Sequence, residues 1–237
     1  MTSFVSPAMR ARVRDLATPV ARGLGRLGLT PNALTVIGFL GTCLAGFAAA
    51  SQWWLATGVL VLAFGIFDLF DGTLARATGR ATRLGAFLDS TFDRAGEAIV
   101  YIGIAAGSLA AEFEPGAVLA ASAMAAAFMV SYTRAKAESL GFTSGSGLAS
   151  IGLAPREVRI ALLAAGLILT TVAGAFVVPP PCSETAPGVQ SCIYVLYSSL
   201  PLTGSLILAT TLGVITALAT MTSIQRILHV RAQSREG

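Results

Sequence analysis

Four carboxylates stand between two charge-free apolar runs, and a chain cannot bury them without giving them partners. They form two pairs within residues 68–93: Asp68 and Asp71 are three apart, and Asp89 and Asp93 are four apart. Either spacing puts both members of a pair on one helix face. Between the pairs lie Gly72, Gly79 and Gly85 with Arg76, Arg80 and Arg83, which reads as a short basic turn joining two helices. Residues 54–67 and 99–111 carry no charge. An acid near the centre of a membrane helix costs roughly 2.5–3.5 kcal/mol, so four would cost on the order of 10 kcal/mol. Arg76 and Arg94 are near enough to compensate in part. Carboxylates on facing helices also make a hard-oxygen cage suited to Mg²⁺ or Mn²⁺.

The apolar runs set the fold class. The chain has 237 residues, 54% of them hydrophobic and 12% charged, which excludes an ordinary soluble domain. Runs of about 20 apolar residues predict an all-α, polytopic membrane bundle. Six spans are expected, at 34–51, 54–76, 84–110, 115–138, 157–178 and 200–227. The short connections imply a single domain over 1–237, with an interfacial helix in 1–30 and the bundle in 31–231. In residues 5–29, Met9, Val13, Leu16, Val20, Leu24 and Leu27 recur every three or four positions against five arginines, as in an amphipathic helix lying on a membrane surface. The arginines leave no charge-free core for a signal peptide.

All 16 Lys and Arg residues fall on one side of this arrangement, and the opposite loops hold only Glu112, Glu114 and Glu184. The positive-inside rule then predicts a multi-pass cell-membrane protein with both termini and the carboxylates in the cytoplasm. The net charge of +4 reflects orientation and attraction to anionic lipids rather than nucleic-acid binding. Cys43 reads as a small apolar filler. Cys182 and Cys192 share an outer loop, where an oxidising compartment would permit a disulfide. His229 is the single histidine, and no Ser-His-Asp or Cys-His set accompanies it.

Two further stretches carry polar groups. Thr30-Pro31-Asn32 ends one helix and starts the next, with Thr30 as cap and Pro31 in the first turn. Arg134, Lys136, Arg156, Arg159 and Arg226 sit at helix ends on the carboxylate side. Five cations there suggest a pocket for an anion, because arginine forks match phosphate geometry. Glu97 shares a helix face with Asp93; it extends the polar stripe or pairs with a basic residue.

The pattern D-x-x-D-G-x-x-A-R, eight residues, then G-x-x-x-D-x-x-x-D is matched at Asp68, Asp71, Gly72, Ala75, Arg76, Gly85, Asp89 and Asp93. It resembles the signature of the CDP-alcohol phosphotransferases. Ion pairing alone would not require glycines and an alanine at set offsets. The resemblance implies transfer of a phosphatidyl group from a CDP-linked lipid to an alcohol, with release of CMP. It implies two Mg²⁺ ions, or Mn²⁺ in their place. Asp68 and Asp89 would contact both ions, Asp71 one and Asp93 the other, with Asp93 also taking the acceptor's proton. Thr30, Pro31, Asn32, Ala33, Gly72, Ala75, Arg76 and Thr82 would hold the CDP-lipid. A homodimer is implied as well.

Within the family, L-D-S-T-F-D-R at 88–94, S-Y-x-R-A-K-A-E at 131–138 and the pair Arg156/Arg159 resemble phosphatidylinositol-phosphate synthases. The implied substrates are CDP-diacylglycerol and an inositol phosphate, seated by Ser131, Arg134, Lys136, Arg156, Arg159 and Arg226. Arg134 and Lys136 stand where a Lys and then an Arg are expected. Two competing readings are a glycerol 3-phosphate acceptor, as in phosphatidylglycerolphosphate synthases, and a non-enzymatic membrane scaffold.

Overall fold

A computed structural model describes residues 18–20, 23–142, 152–175 and 202–236. Among these every regular element is helical. Six long helices follow one another: α1 (Pro31–Ala50), α2 (Trp54–Ala77), α3 (Arg83–Ala110), α4 (Glu114–Ser139), α5 (Arg156–Ala175) and α6 (Leu202–Glu236). Residues 18–20 and 23–26 are also helical. The expected interfacial helix ends earlier than 30, since the chain leaves it in a turn at 27–28, with Gly28 at φ +85°, and residues 1–17 and 21–22 of it lie outside the described residues. So do most of the Gly/Ser segment before α5 and the loop carrying Cys182 and Cys192.

The helices close into a ring. α1 packs on α2 and α3, α3 on α4, α4 on α6, α6 on α5, and α5 back on α2. The order around the ring is therefore not the order along the chain. The core is built from small and aliphatic residues: Ala45 and Ala49 on α1, Val100 and Ile104 on α3, Ala120, Ala123 and Ala127 on α4, Leu163 and Leu167 on α5, Leu208, Leu212 and Ile215 on α6. Between α1 and α3 even a methyl group is excluded. A Cβ at Gly103 would strike the Gly46 carbonyl, and one at Gly107 would strike the Ala49 carbonyl. Small residues let helix backbones approach in this way where lipid offers no hydrophobic drive to associate.

Large apolar side chains face outward, among them Leu40, Phe47, Ile66, Ile102, Val118 and Leu206. Exposed apolar surface on this scale marks a protein whose solvent is not water. Among the described residues, four helices are long and apolar enough to cross a membrane: Pro31–Ala50, Trp54–Ala77, Glu114–Ser139 and Thr203–Arg235.

The expected basic turn joins α2 to α3. α2 ends where Gly79 adopts φ +66°. The Arg80 amide then reaches back to the Ala75 carbonyl at 3.0 Å, a helix termination that glycine permits without a Cβ clash. The chain turns within 78–82 and re-enters as α3, so both acid pairs lie near the same end of the ring.

Candidate active site at the acid-bearing end of the ring

Two helix caps begin the site. The Ala33 amide donates to Thr30 Oγ1 at 3.2 Å, opening α1. The Gly85 amide donates to Thr82 Oγ1 at 3.0 Å, opening α3. Gly85 brings the caps together: a Cβ there would lie 3.1 Å from Thr82 Oγ1 and 3.2 Å from Asn32 Oδ1. Two helix N-termini, each with free amides and a partial positive charge, thus lie side by side. This arrangement suits a phosphate or pyrophosphate.

Gly72, Ala75 and Arg76 lie on the last turns of α2. The nearest atoms to a Cβ at Gly72 would be those of the Arg76 guanidinium, from 3.5 Å, an ordinary contact. Packing within the described protein therefore does not demand glycine at this position.

The acids differ in their surroundings. Asp71 is 4% exposed. It accepts a hydrogen bond from Thr35 Oγ1 at 2.7 Å and another from the Gly72 amide. Asp89 and Asp93 lie one turn apart on α3, both half-buried. Asp93 is 2.9 Å from Arg156 Nη2 of α5 and 3.7 Å from Arg94 Nη2. A narrow cleft lined by Thr35, Phe39, Thr42, Phe92, Asp93 and Arg156 joins the two sides. Phe39 and Phe92 stack in its wall, with centroids 4.8 Å apart.

Asp68 lies on α2 one turn before Asp71, and its side chain is outside the described residues. Among the described residues, no three His, Cys, Asp or Glu side chains gather closely enough to hold an ion by themselves. The chemistry of the donors nevertheless fits a hard divalent cation, since only carboxylate oxygens are offered, with neither thiol nor imidazole beside them.

The structure separates the basic residues by what they touch. Arg156 reaches Asp93. Arg159 is 1% exposed; its Nε and Nη2 donate to Glu97 at 2.9–3.0 Å, and its Nη1 donates to the Ala154 carbonyl at 3.1 Å. Arg226, also buried, donates to the Val130 carbonyl and so joins α6 to α4. Arg134 pairs with Glu138 at 2.8 Å on the surface of α4, and Lys136 is exposed. Ser131 accepts from Arg94 Nη1 at 2.7 Å.

Three participants escape a reading by motif. Thr35 sits one turn past Pro31 and looks like an ordinary helix threonine. Arg94 reads as a partial counter-charge to the acids, but nothing in the sequence shows that it turns to Glu97 and Ser131. Glu97 shows its i+4 spacing from Asp93, but no spacing reveals that its main partner is Arg159, 62 residues on.

Comparison with known proteins bears on this geometry. The family model of the CDP-alcohol phosphatidyltransferases matches residues 28–179, a span containing both caps, both acid pairs and Arg156. An archaetidylinositol phosphate synthase from Pyrococcus horikoshii is 39% identical over 155 residues, covering 65% of this chain and 78% of that protein. A phosphatidylinositol phosphate synthase from Cutibacterium acnes is 35% identical over 187 residues, covering 75% and 84%. The crystal structure of the Mycobacterium tuberculosis phosphatidylinositol phosphate synthase with CDP-DAG bound superposes with a TM-score of 0.69 at 26% identity, over 91% of this chain and 94% of that one. A second crystal structure of that enzyme, in complex with manganese and citrate, gives 0.68. The motif, the helical ring and the matched span lead to one assignment: the chain belongs to the CDP-alcohol phosphatidyltransferase family.

Proposed function

We propose that the chain transfers a phosphatidyl group from CDP-diacylglycerol to an inositol phosphate, giving phosphatidylinositol phosphate and CMP. The observation that carries this reading is the 2.9 Å contact between Asp93 and Arg156. It sets a carboxylate able to take a proton beside a guanidinium able to hold a phosphate. An inositol phosphate offers both groups, a hydroxyl that must be deprotonated and a phosphate that must be held.

Each residue then has a task. The N-termini of α1 and α3, with Thr30, Pro31, Asn32, Ala33 and Thr82, take the CDP portion of the donor. Gly72 and Ala75 leave room for it along α2, and Arg76 holds a phosphate. Asp93 accepts the proton of the attacking hydroxyl as the new oxygen–phosphorus bond forms. The bond from that phosphorus to the CMP oxygen breaks, and CMP carries away the electron pair. Arg156 seats the acceptor's phosphate, with Ser131, Arg134 and Lys136 beyond it. Arg159 and Arg226 support this pocket from behind, because Glu97 and the Val130 carbonyl already occupy them. Asp68, Asp71, Asp89 and Asp93 would hold two Mg²⁺ ions, or Mn²⁺. Such ions, when bound, supply positive charge to the donor's pyrophosphate.

The setting belongs to the same proposal. All six helices cross the cell membrane, residues 1–30 lie on its surface, and the site and both termini face the cytoplasm. The donor's tails stay in lipid while its head enters from the side. The protein works as a homodimer, in a single domain over 1–237.

Purified protein given CDP-diacylglycerol, Mg²⁺ and inositol phosphate should release CMP, and glycerol 3-phosphate should support far less release. Equal or better use of glycerol 3-phosphate would transfer the assignment to the phosphatidylglycerolphosphate branch. No release with any acceptor would remove the catalytic reading.

A further inference from the structure

Arg94 is placed where it could defeat the site. It follows Asp93 directly in the chain, and its Nη2 lies 3.7 Å from Asp93 Oδ2. Arg156 already lies 2.9 Å from Asp93 Oδ1, and a second guanidinium seated squarely on Oδ2 would add to the competition with any cation for the carboxylate. Instead, Arg94 Nη1 lies 2.9 Å from Glu97 Oε2 and donates to Ser131 at 2.7 Å. Glu97 in turn is held fast by Arg159, whose Nε and Nη2 make three hydrogen bonds to it. Arg159 is anchored by the Ala154 carbonyl at 3.1 Å.

We infer that Glu97 is a positioning residue that holds Arg94 off Asp93 and so preserves the cation affinity of the carboxylate site. Arg159 is the brace that fixes Glu97. The assignment rests on the carboxylates binding divalent cations, as proposed above. It gives a task to a buried ion pair that the transfer reaction itself does not use. Without the Glu97 charge, Asp93 is the nearest carboxylate left to Arg94, and the attraction between them is strong at this depth.

The test is direct binding of Mn²⁺ to the purified full chain in detergent without substrates, followed by the loss of the free-ion paramagnetic resonance signal. Asp93→Asn should weaken binding; if wild type binds no Mn²⁺, or Asp93→Asn binds as wild type does, the site reading itself fails. With that control in place, Glu97→Gln should weaken binding roughly tenfold or more. The single substitution leaves Arg159 buried without its counter-ion, and the protein could fail to fold. Glu97→Gln combined with Arg159→Met removes both ends of the pair and leaves net charge unchanged, so any loss of affinity reports Arg94. It should bind Mn²⁺ as weakly as Glu97→Gln, and adding Arg94→Met should restore wild-type affinity. Wild-type affinity in the double variant, or no recovery in the triple variant, overturns the inference.

Discussion

Thr35 Oγ1 donates a 2.7 Å hydrogen bond to Asp71 Oδ2, tying the second turn of α1 to the buried acid of α2. This bond orients a carboxylate that the proposed function requires for cation binding. Thr35→Val keeps the shape and removes the donor. Leaving a buried acceptor short of a partner costs about 1–3 kcal/mol, so thermal stability in detergent should fall. The Mg²⁺ concentration for half-maximal CMP release should rise several-fold. Thr35→Ser should retain both properties.

Asp93 is the acceptor-side carboxylate in the proposed mechanism. Asp93→Asn should reduce the turnover of CMP release by about 10²–10⁴, the usual contribution of a positioned base. The CDP-diacylglycerol KM should change little. A variant with near-normal turnover would assign proton removal elsewhere.

Arg156 and Arg159 are three residues apart on α5 and should behave differently. Arg156→Ala should raise the inositol phosphate KM tenfold or more and leave the CDP-diacylglycerol KM near its wild-type value. Arg159→Ala removes three hydrogen bonds to Glu97 and leaves it Arg94 alone, so the protein should lose stability, by up to the about 3–5 kcal/mol of a broken buried ion pair. Melting curves beside acceptor titrations separate the two effects.

Gly72 and Gly103 make a second contrast. Gly103→Ala places a methyl group against the Gly46 carbonyl, and overpacking of this kind costs about 1–3 kcal/mol. Gly72→Ala meets only ordinary contact with Arg76, so the protein should melt as wild type does. Its CDP-diacylglycerol KM should nonetheless rise, because the added methyl occupies space reserved for the donor.

Much of this was legible in the sequence because lipid simplifies the problem. Apolar runs of bilayer length predict helices, and a long helix stands at each of the six expected positions in order, four of them, among the described residues, long and apolar enough to cross a membrane. The boundary that moved most is the last. The apolar run ends near 227, but α6 continues to Glu236. Hydropathy marks where a helix leaves lipid, whereas backbone hydrogen bonding continues through Arg231, Ala232, Gln233 and Arg235, all good helix formers. The cap at Thr30 was legible from local chemistry, whereas Thr82 enters only as an implied contact to the donor, without its capping of α3. The pairing of the arginines was not legible. Arg159 and Glu97 meet across the ring on helices that are not principal neighbours, and chain order says nothing about ring order. A motif also shows which residues are present without showing which are already taken, so Arg156 and Arg159 read alike until their partners are seen.

The seam of Gly46, Gly103 and Gly107 has a mechanical consequence. Where two backbones touch directly, no rotamer between them can yield and no side chain can slide. α1 and α3 therefore travel as one stiff plate, carrying both helix caps and the second acid pair at a constant spacing. Whatever breathing the ring needs to admit a two-tailed lipid must be taken up by the other four helices.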